Sequence, residues 1–172
     1  MDTLVTISST QQTLRVPRRA MERLVAFVGR AEGVRWAHVD IAVVGAEEMA
    51  GHNRRFLGHR GSTDVISFDL TDETPSDGRK HSATRGGGRS GRDGRGGHDG
   101  RSERGGLCAQ IIVCADVAKS QGPYHGLSPT RELLLYVIHG LLHVIGYDDR
   151  DIRAGAKMHA REDELLRAFL LS

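Results

Sequence analysis

The sequence predicts an α+β fold: a small mixed sheet of about four strands packed with helices. Three observations predict it. Four short runs rich in Val and Ile read as strands and stand among stretches of helical period. A nearly continuous apolar helix lies late in the chain, and a helix apolar on all sides is a buried one. That helix carries His139 and His143, four residues apart and therefore on one face, with Gly146 and Asp149 following.

The elements follow in order. Residues 3–8 (Thr-Leu-Val-Thr-Ile-Ser) read as a first strand. From Pro17 to about Ala31, Met21, Leu24, Val25 and Val28 recur at helical spacing, and Pro17 suits the first turn. Trp36–Val44 is a second strand with Val39, Ile41 and Val43 on one face and Asp40 on the other. Ala46 to about Leu57 is a second helix with Met49 and Phe56 inward, and Val65–Phe68 a third strand.

The chain then changes character. Residues 72–106 hold eleven glycines, eight Lys/Arg and six Asp/Glu, with no aromatic residue and no Val, Ile, Leu or Met. Such a segment buries too little apolar surface to offset the entropy of ordering, so it reads as a disordered Gly/Arg-rich insertion loop in one domain spanning 1–172. Leu107–Cys114 resumes strand character, and Asp116 to about Gln121 opens a helix. Ser128-Pro129 starts the apolar helix, Ser as cap and Pro in the first turn, and it runs to Ile145. A last amphipathic helix, Lys157–Leu170, turns Leu165, Leu166 and Phe169 inward.

Formal net charge is +2, and the chain outside 72–106 is neutral, which excludes a strongly basic nucleic-acid binder. The two cysteines, Cys108 and Cys114, share a strand face and read as small buried residues without a disulfide. No apolar run follows a basic N-terminus and none approaches 18 residues, so a cytoplasmic protein with no membrane partner is expected.

Two histidines inside an apolar helix are costly unless something satisfies them, and a metal does so. Asp149 arrives six residues after His143 as a third ligand, with Asp148 and Asp151 as neighbours able to substitute or to support. Three protein ligands and an open position describe a catalytic zinc site, one ion per chain. In the zinc peptidase pattern the residue after the first His is the Glu base. Here it is Gly140, which argues against a peptidase and leaves space above the metal. His125 and His159, outside the pattern, read as surface residues.

The run His139-Gly140-Leu141-Leu142-His143-Val144-Ile145-Gly146-Tyr147-Asp148-Asp149 resembles the signature H-G-x-L-H-x-x-G-Y-D-H of the YbeY family of single-strand endoribonucleases, the bacterial ribosomal-RNA maturation factors. A second stretch agrees: Asn53-Arg54-Arg55-Phe56-Leu57-Gly58, then Ser62-Thr63-Asp64-Val65-Ile66-Ser67-Phe68, is similar to the family's N-x-x-Y-R-G and P-T-D-V-L-S-F. Element order fits across nearly the whole chain apart from the insertion. Two positions depart. Asp149 stands where the family has its third metal-binding His, and Leu57 where it has an Arg serving the RNA.

The resemblance implies a zinc-dependent endoribonuclease acting on single-stranded RNA in ribosomal-RNA maturation: small-subunit 3′-end processing and ribosome quality control, with the ribosome or small-subunit proteins as partners. His139, His143 and Asp149 would be the metal and catalytic residues. The base would be a water on the metal, the RNA's own 2′-hydroxyl or another side chain. Arg54, Arg55, His59 and Arg60 form a basic cluster whose arginines either contact RNA phosphate or suit the dipole of a helix C-terminus. Asp64 ties a loop to the histidine helix. The Arg-Gly-rich segment reads as plain linker ahead of an RNA-binding tail. A non-catalytic, metal-containing ribosome-assembly factor is the competing reading, and a closed site with a fourth protein ligand would favour it.

Overall fold

The computed structural model describes residues 3–58, 61–71 and 106–172. The insertion expected at 72–106 therefore lies outside the described residues apart from Gly106, and so do His59 and Arg60.

Strands β1 (Leu4–Ser9), β2 (Trp36–Val44), β3 (Val65–Asp69) and β4 (Leu107–Cys114) form one mixed sheet in the order β1-β2-β4-β3. β1 and β2 run parallel, as do β2 and β4, whereas β3 pairs antiparallel with β4. The alternation of side chains across the sheet divides the core in two. Val39, Ile41 and Val43 of β2 and Ala109, Ile111 and Val113 of β4 face helices α1 (Arg18–Glu32), α4 (Pro129–Ile145) and α5 (Ile152–Leu171). Ile66, Phe68, Ile112 and Cys114 face the other way, against Met49 of α2 (Ala46–His52) and the partly buried Phe56. Cys114 is buried and Cys108 half-buried, both as free thiols.

Four boundaries differ from expectation for local reasons. Pro17 caps α1 instead of entering it, and its carbonyl accepts from Met21 N–H at 3.0 Å. The second helix is regular only to His52, and Asn53–Leu57 wind as a wider π turn closed by Gly58 at φ 69°. Asn53, 1% exposed, directs that turn: its amide donates to Gly61 O at 2.6 Å and accepts from the Thr63 hydroxyl at 3.3 Å. α3 (Ala115–Gln121) starts one residue early and passes into a short 3-10 turn, Gly122–His125. α5 begins five residues before Lys157. Asp151 is its N-cap, accepting from Arg153 and Ala154 N–H at 2.8 Å each, and it is not among the residues whose ligand atoms gather with those of His139 and His143.

α4 sits where the sequence predicts. The Ser128 hydroxyl accepts from Arg131 N–H at 3.3 Å, and Pro129 occupies the first turn. Gly146, at φ 118°, ends the helix in the left-handed conformation and sends the chain back toward it. Tyr147 N–H reaches Leu142 O at 2.9 Å, which turns residues 147–149 across the last turn of α4.

Candidate metal and active site

The two histidines of α4 point their Nε2 atoms at each other, 3.0 Å apart. Each ring is held from behind. His139 Nδ1 lies 2.7 Å from Glu162 Oε1, and His143 Nδ1 lies 3.2 Å from the Tyr147 carbonyl. An ionised carboxylate and a carbonyl only accept, so both Nδ1 atoms carry the proton, and as neutral imidazoles both rings present an Nε2 lone pair to a cation. Two lone pairs facing at that distance repel unless a proton or a metal cation lies between them. Outer partners of this kind fix the tautomer of metal-binding histidines. Asp149 Oδ2 lies 3.7 Å from His143 Nε2, and ligand atoms of His139, His143 and Asp149 all fall within 4.8 Å of one another. The donor set fits a divalent ion bound by two imidazoles and a carboxylate.

Glu162 was not marked by the sequence reading. It is 4% exposed, and its second oxygen accepts from His159 Nδ1 at 3.1 Å. Burial raises the Glu162 carboxyl, but the hydrogen bonds and charges of His139 and His159 outweigh it and hold the carboxyl below its ordinary value. Burial pulls His139 down, yet the bond and charge of Glu162, with Asp64 and Asp149 behind it, carry the net shift upward. His143 is lowered by its burial and by the neighbouring His139. A signal for Glu162 was available: it falls four residues after Met158 and three before Leu165, a charge in the apolar stripe of α5. His159 is largely exposed, but it is no plain surface residue, since it shares Glu162 with His139.

Tyr147 is tied from the other side. Its hydroxyl donates to Glu32 Oε2 at 3.0 Å, and Arg161 Nε donates to Glu32 Oε1 at 2.7 Å. A clamp from α1 and α5 thus fixes the residue whose carbonyl orients His143.

Above the histidines opens a cavity of about 460 Å³ lined by Leu57, Thr63, Asp64, Ser67, Asp149 and Arg150, among others. Asp148 is paired with Arg150, Oδ2 to Nε 2.5 Å, so among the described residues no fourth ligand closes the site. Among the described residues, Asp64 makes no hydrogen bond to α4. Its carbonyl accepts from Cys114 N–H of β4 at 2.9 Å, and its carboxylate accepts from Val65 N–H at 2.9 Å.

Gly140 faces away from the cavity. A Cβ there would come within 2.8 Å of Ile111 Cγ2 and 3.3 Å of Val65 Cγ2. The small residue lets α4 seat on the sheet and adds no room above the histidines. Arg54 and Arg55 are exposed on the π turn and do not line the cavity; the Arg55 guanidinium lies over Phe56, 5.2 Å from the ring centroid.

Among the described residues, no helix is long and apolar enough to cross a membrane. Residues 5–170 match the family model described as Endoribonuclease YbeY. The chain is 31% identical over 150 residues to the Endoribonuclease YbeY of Macrococcus caseolyticus, covering 87% of this chain and 83% of that one. It is 30% identical over 167 residues to that of Bacillus licheniformis, covering 95% and 94%. The solution structure of a Thermotoga maritima protein shares the fold, with a TM-score of 0.53 at 19% identity over 96% of this chain and 89% of that one. Signature, fold and full-length match converge: the chain belongs to the YbeY endoribonuclease family.

Proposed function

We propose that this protein cleaves single-stranded RNA during ribosomal-RNA maturation, with one zinc ion held by His139, His143 and Asp149. Membership of the family makes it a metal-dependent endoribonuclease, a hydrolase acting on RNA. Zinc as the metal, these three residues as its ligands, the ribosome or small-subunit proteins as partners and the cytoplasm as the compartment are our reading. One observation supports the site above all: two Nε2 atoms meet at 3.0 Å while both Nδ1 protons are engaged elsewhere.

When bound, the ion supplies Lewis-acid chemistry, polarising a phosphoryl oxygen or acidifying a water. The chain's own residues do the rest. Glu162 and the Tyr147 carbonyl hold the imidazoles with Nε2 presented, so little reorganisation accompanies binding. Asp149, exposed at the cavity edge, brings the one anionic ligand. It leaves the site with a lower positive charge than three imidazoles would, and a harder donor set. Gly140, packed on the sheet, moves no proton. The open cavity does not favour a purely structural metal in an assembly factor, which would call for a closed site.

Metal content of the purified protein beside His143→Ala and Asp149→Ala, with cleavage of an unstructured oligoribonucleotide, tests this. We expect one equivalent of zinc in the wild type, little in either variant, and cleavage only in the wild type. Full zinc in His143→Ala would refute the ligand set.

A further inference from the structure

The cavity above the histidines carries an uneven charge. Asp64, Asp148 and Asp149 all line it, and among the described residues Arg150 is its only arginine or lysine. An RNA strand brings one negative charge per phosphate, so three carboxylates oppose its entry. A single divalent cation shared with Asp149 leaves the flanking phosphates uncompensated.

Arg150 is built to answer them. Its Nε donates to Asp148 Oδ2 at 2.5 Å and its backbone N–H to Asp148 Oδ1 at 3.0 Å, a closed ring that fixes the side chain. The side chain is 60% exposed, and among the described residues its two terminal nitrogens make no hydrogen bond. A guanidinium anchored through Nε keeps its outer donors for a second acceptor, and phosphate oxygens match their spacing. Among the described residues, nothing else in the cavity wall offers this. Leu57 is there but apolar, and Arg54 and Arg55 stand outside it.

We propose that Arg150 is a substrate-binding residue that holds a phosphate flanking the scissile bond, with Asp148 as the residue that positions it. The inference rests on the endoribonuclease reading above.

The test uses the full-length, zinc-loaded protein with an unstructured oligoribonucleotide as substrate. An oligodeoxyribonucleotide of the same sequence serves as the probe for binding without cleavage, read by fluorescence anisotropy at several salt concentrations. Arg150→Ala should raise KM roughly tenfold with kcat nearly unchanged, the loss of one charge-assisted hydrogen bond. The slope of log affinity against log salt should fall by about 0.7, one phosphate contact on a single strand. Arg150→Lys should recover the slope and part of the affinity. Leu57→Arg placed in Arg150→Ala should restore binding from another wall of the same cavity. Arg131→Ala, an equal loss of charge at the far end of α4, should change neither quantity.

An Arg150→Ala protein with unaltered KM and salt slope overturns the proposal. So does one whose zinc content and kcat fall together, because Arg150 would then be supporting Asp149. A wild-type protein that neither binds nor cleaves RNA refutes the functional reading itself, a result separate from either of these.

Discussion

Gly140 shows how one residue's role turns on where its missing side chain would go. The sequence places it beside His139 and marks it as no general base. It does not say that the Cα faces Ile111, because helix rotation relative to a sheet is set by packing along the whole interface. Gly140→Ala would drive a methyl to within 2.8 Å of Ile111 Cγ2. Overpacking of this kind costs about 1–3 kcal/mol. We expect a lower urea midpoint with an unchanged m-value, and a weaker zinc affinity as His139 tilts. A variant as stable as the wild type would mean that α4 seats less tightly than described.

Asp116 is the second such residue. Its carboxylate accepts from the Thr13 hydroxyl at 2.5 Å and from Ala46 N–H at 2.7 Å, joining the loop before α1, the start of α2 and α3. The Thr13 hydroxyl first, and then the Ala46 N–H, hold its carboxyl below the ordinary value. A lowered native pKa means that the carboxylate stabilises the fold above the unfolded-state value, and that this contribution is lost as pH falls through the native one. Asp116→Ala should cost about 1 kcal/mol at neutral pH, the worth of a helix cap. The difference from wild type should shrink in acid. A gap that persists under strongly acidic conditions would assign the effect to packing.

At the scale of elements, periodicity carried most of the fold. The four strands and the core faces of α1 and α4 were legible because their apolar residues recur at two or at 3.6. The miss at α5 has a physical cause. Its first turn buries only Gly155 and leaves Ile152 92% exposed, so no apolar stripe announces it, and the start is written in the Asp151 cap alone. Asp151→Ala should remove two hydrogen bonds and lower stability by about 1 kcal/mol. Amide exchange should then quicken in residues 152–156 while the rest of α5 keeps its protection. Uniform exchange across α5 would show that the helix opens as one unit. The candidate site was half legible for a related reason. His139, His143 and Asp149 lie within eleven residues and share one helix end, so spacing alone brings them together. Glu162 and Glu32 reach the site from other helices, and only the packing of α5 and α1 against α4 makes them partners.

The whole molecule couples these levels. Glu162 comes from α5, Glu32 from α1 and the histidines from α4, all on one face of the sheet. The site therefore exists only when those helices are docked, and an unfolded chain offers the ion no such arrangement. Metal binding at this site would be linked to folding: an ion that binds the native state alone stabilises it by about 2.7 kcal/mol when free metal exceeds Kd a hundredfold. We expect the thermal midpoint to rise with buffered zinc and to fall back on adding a chelator. His143→Ala should show no rise, and Asp149→Ala a smaller one at the same free zinc. Tyr147→Phe cuts the bond to Glu32 but leaves the carbonyl that orients His143. It should lower the metal-free midpoint while the zinc-induced rise stays close to that of the wild type. If the rise vanished along with the Tyr147 hydroxyl, the clamp from α1 would be setting the metal affinity itself. If zinc shifted no variant and no wild type, the two facing Nε2 atoms would not be a metal site.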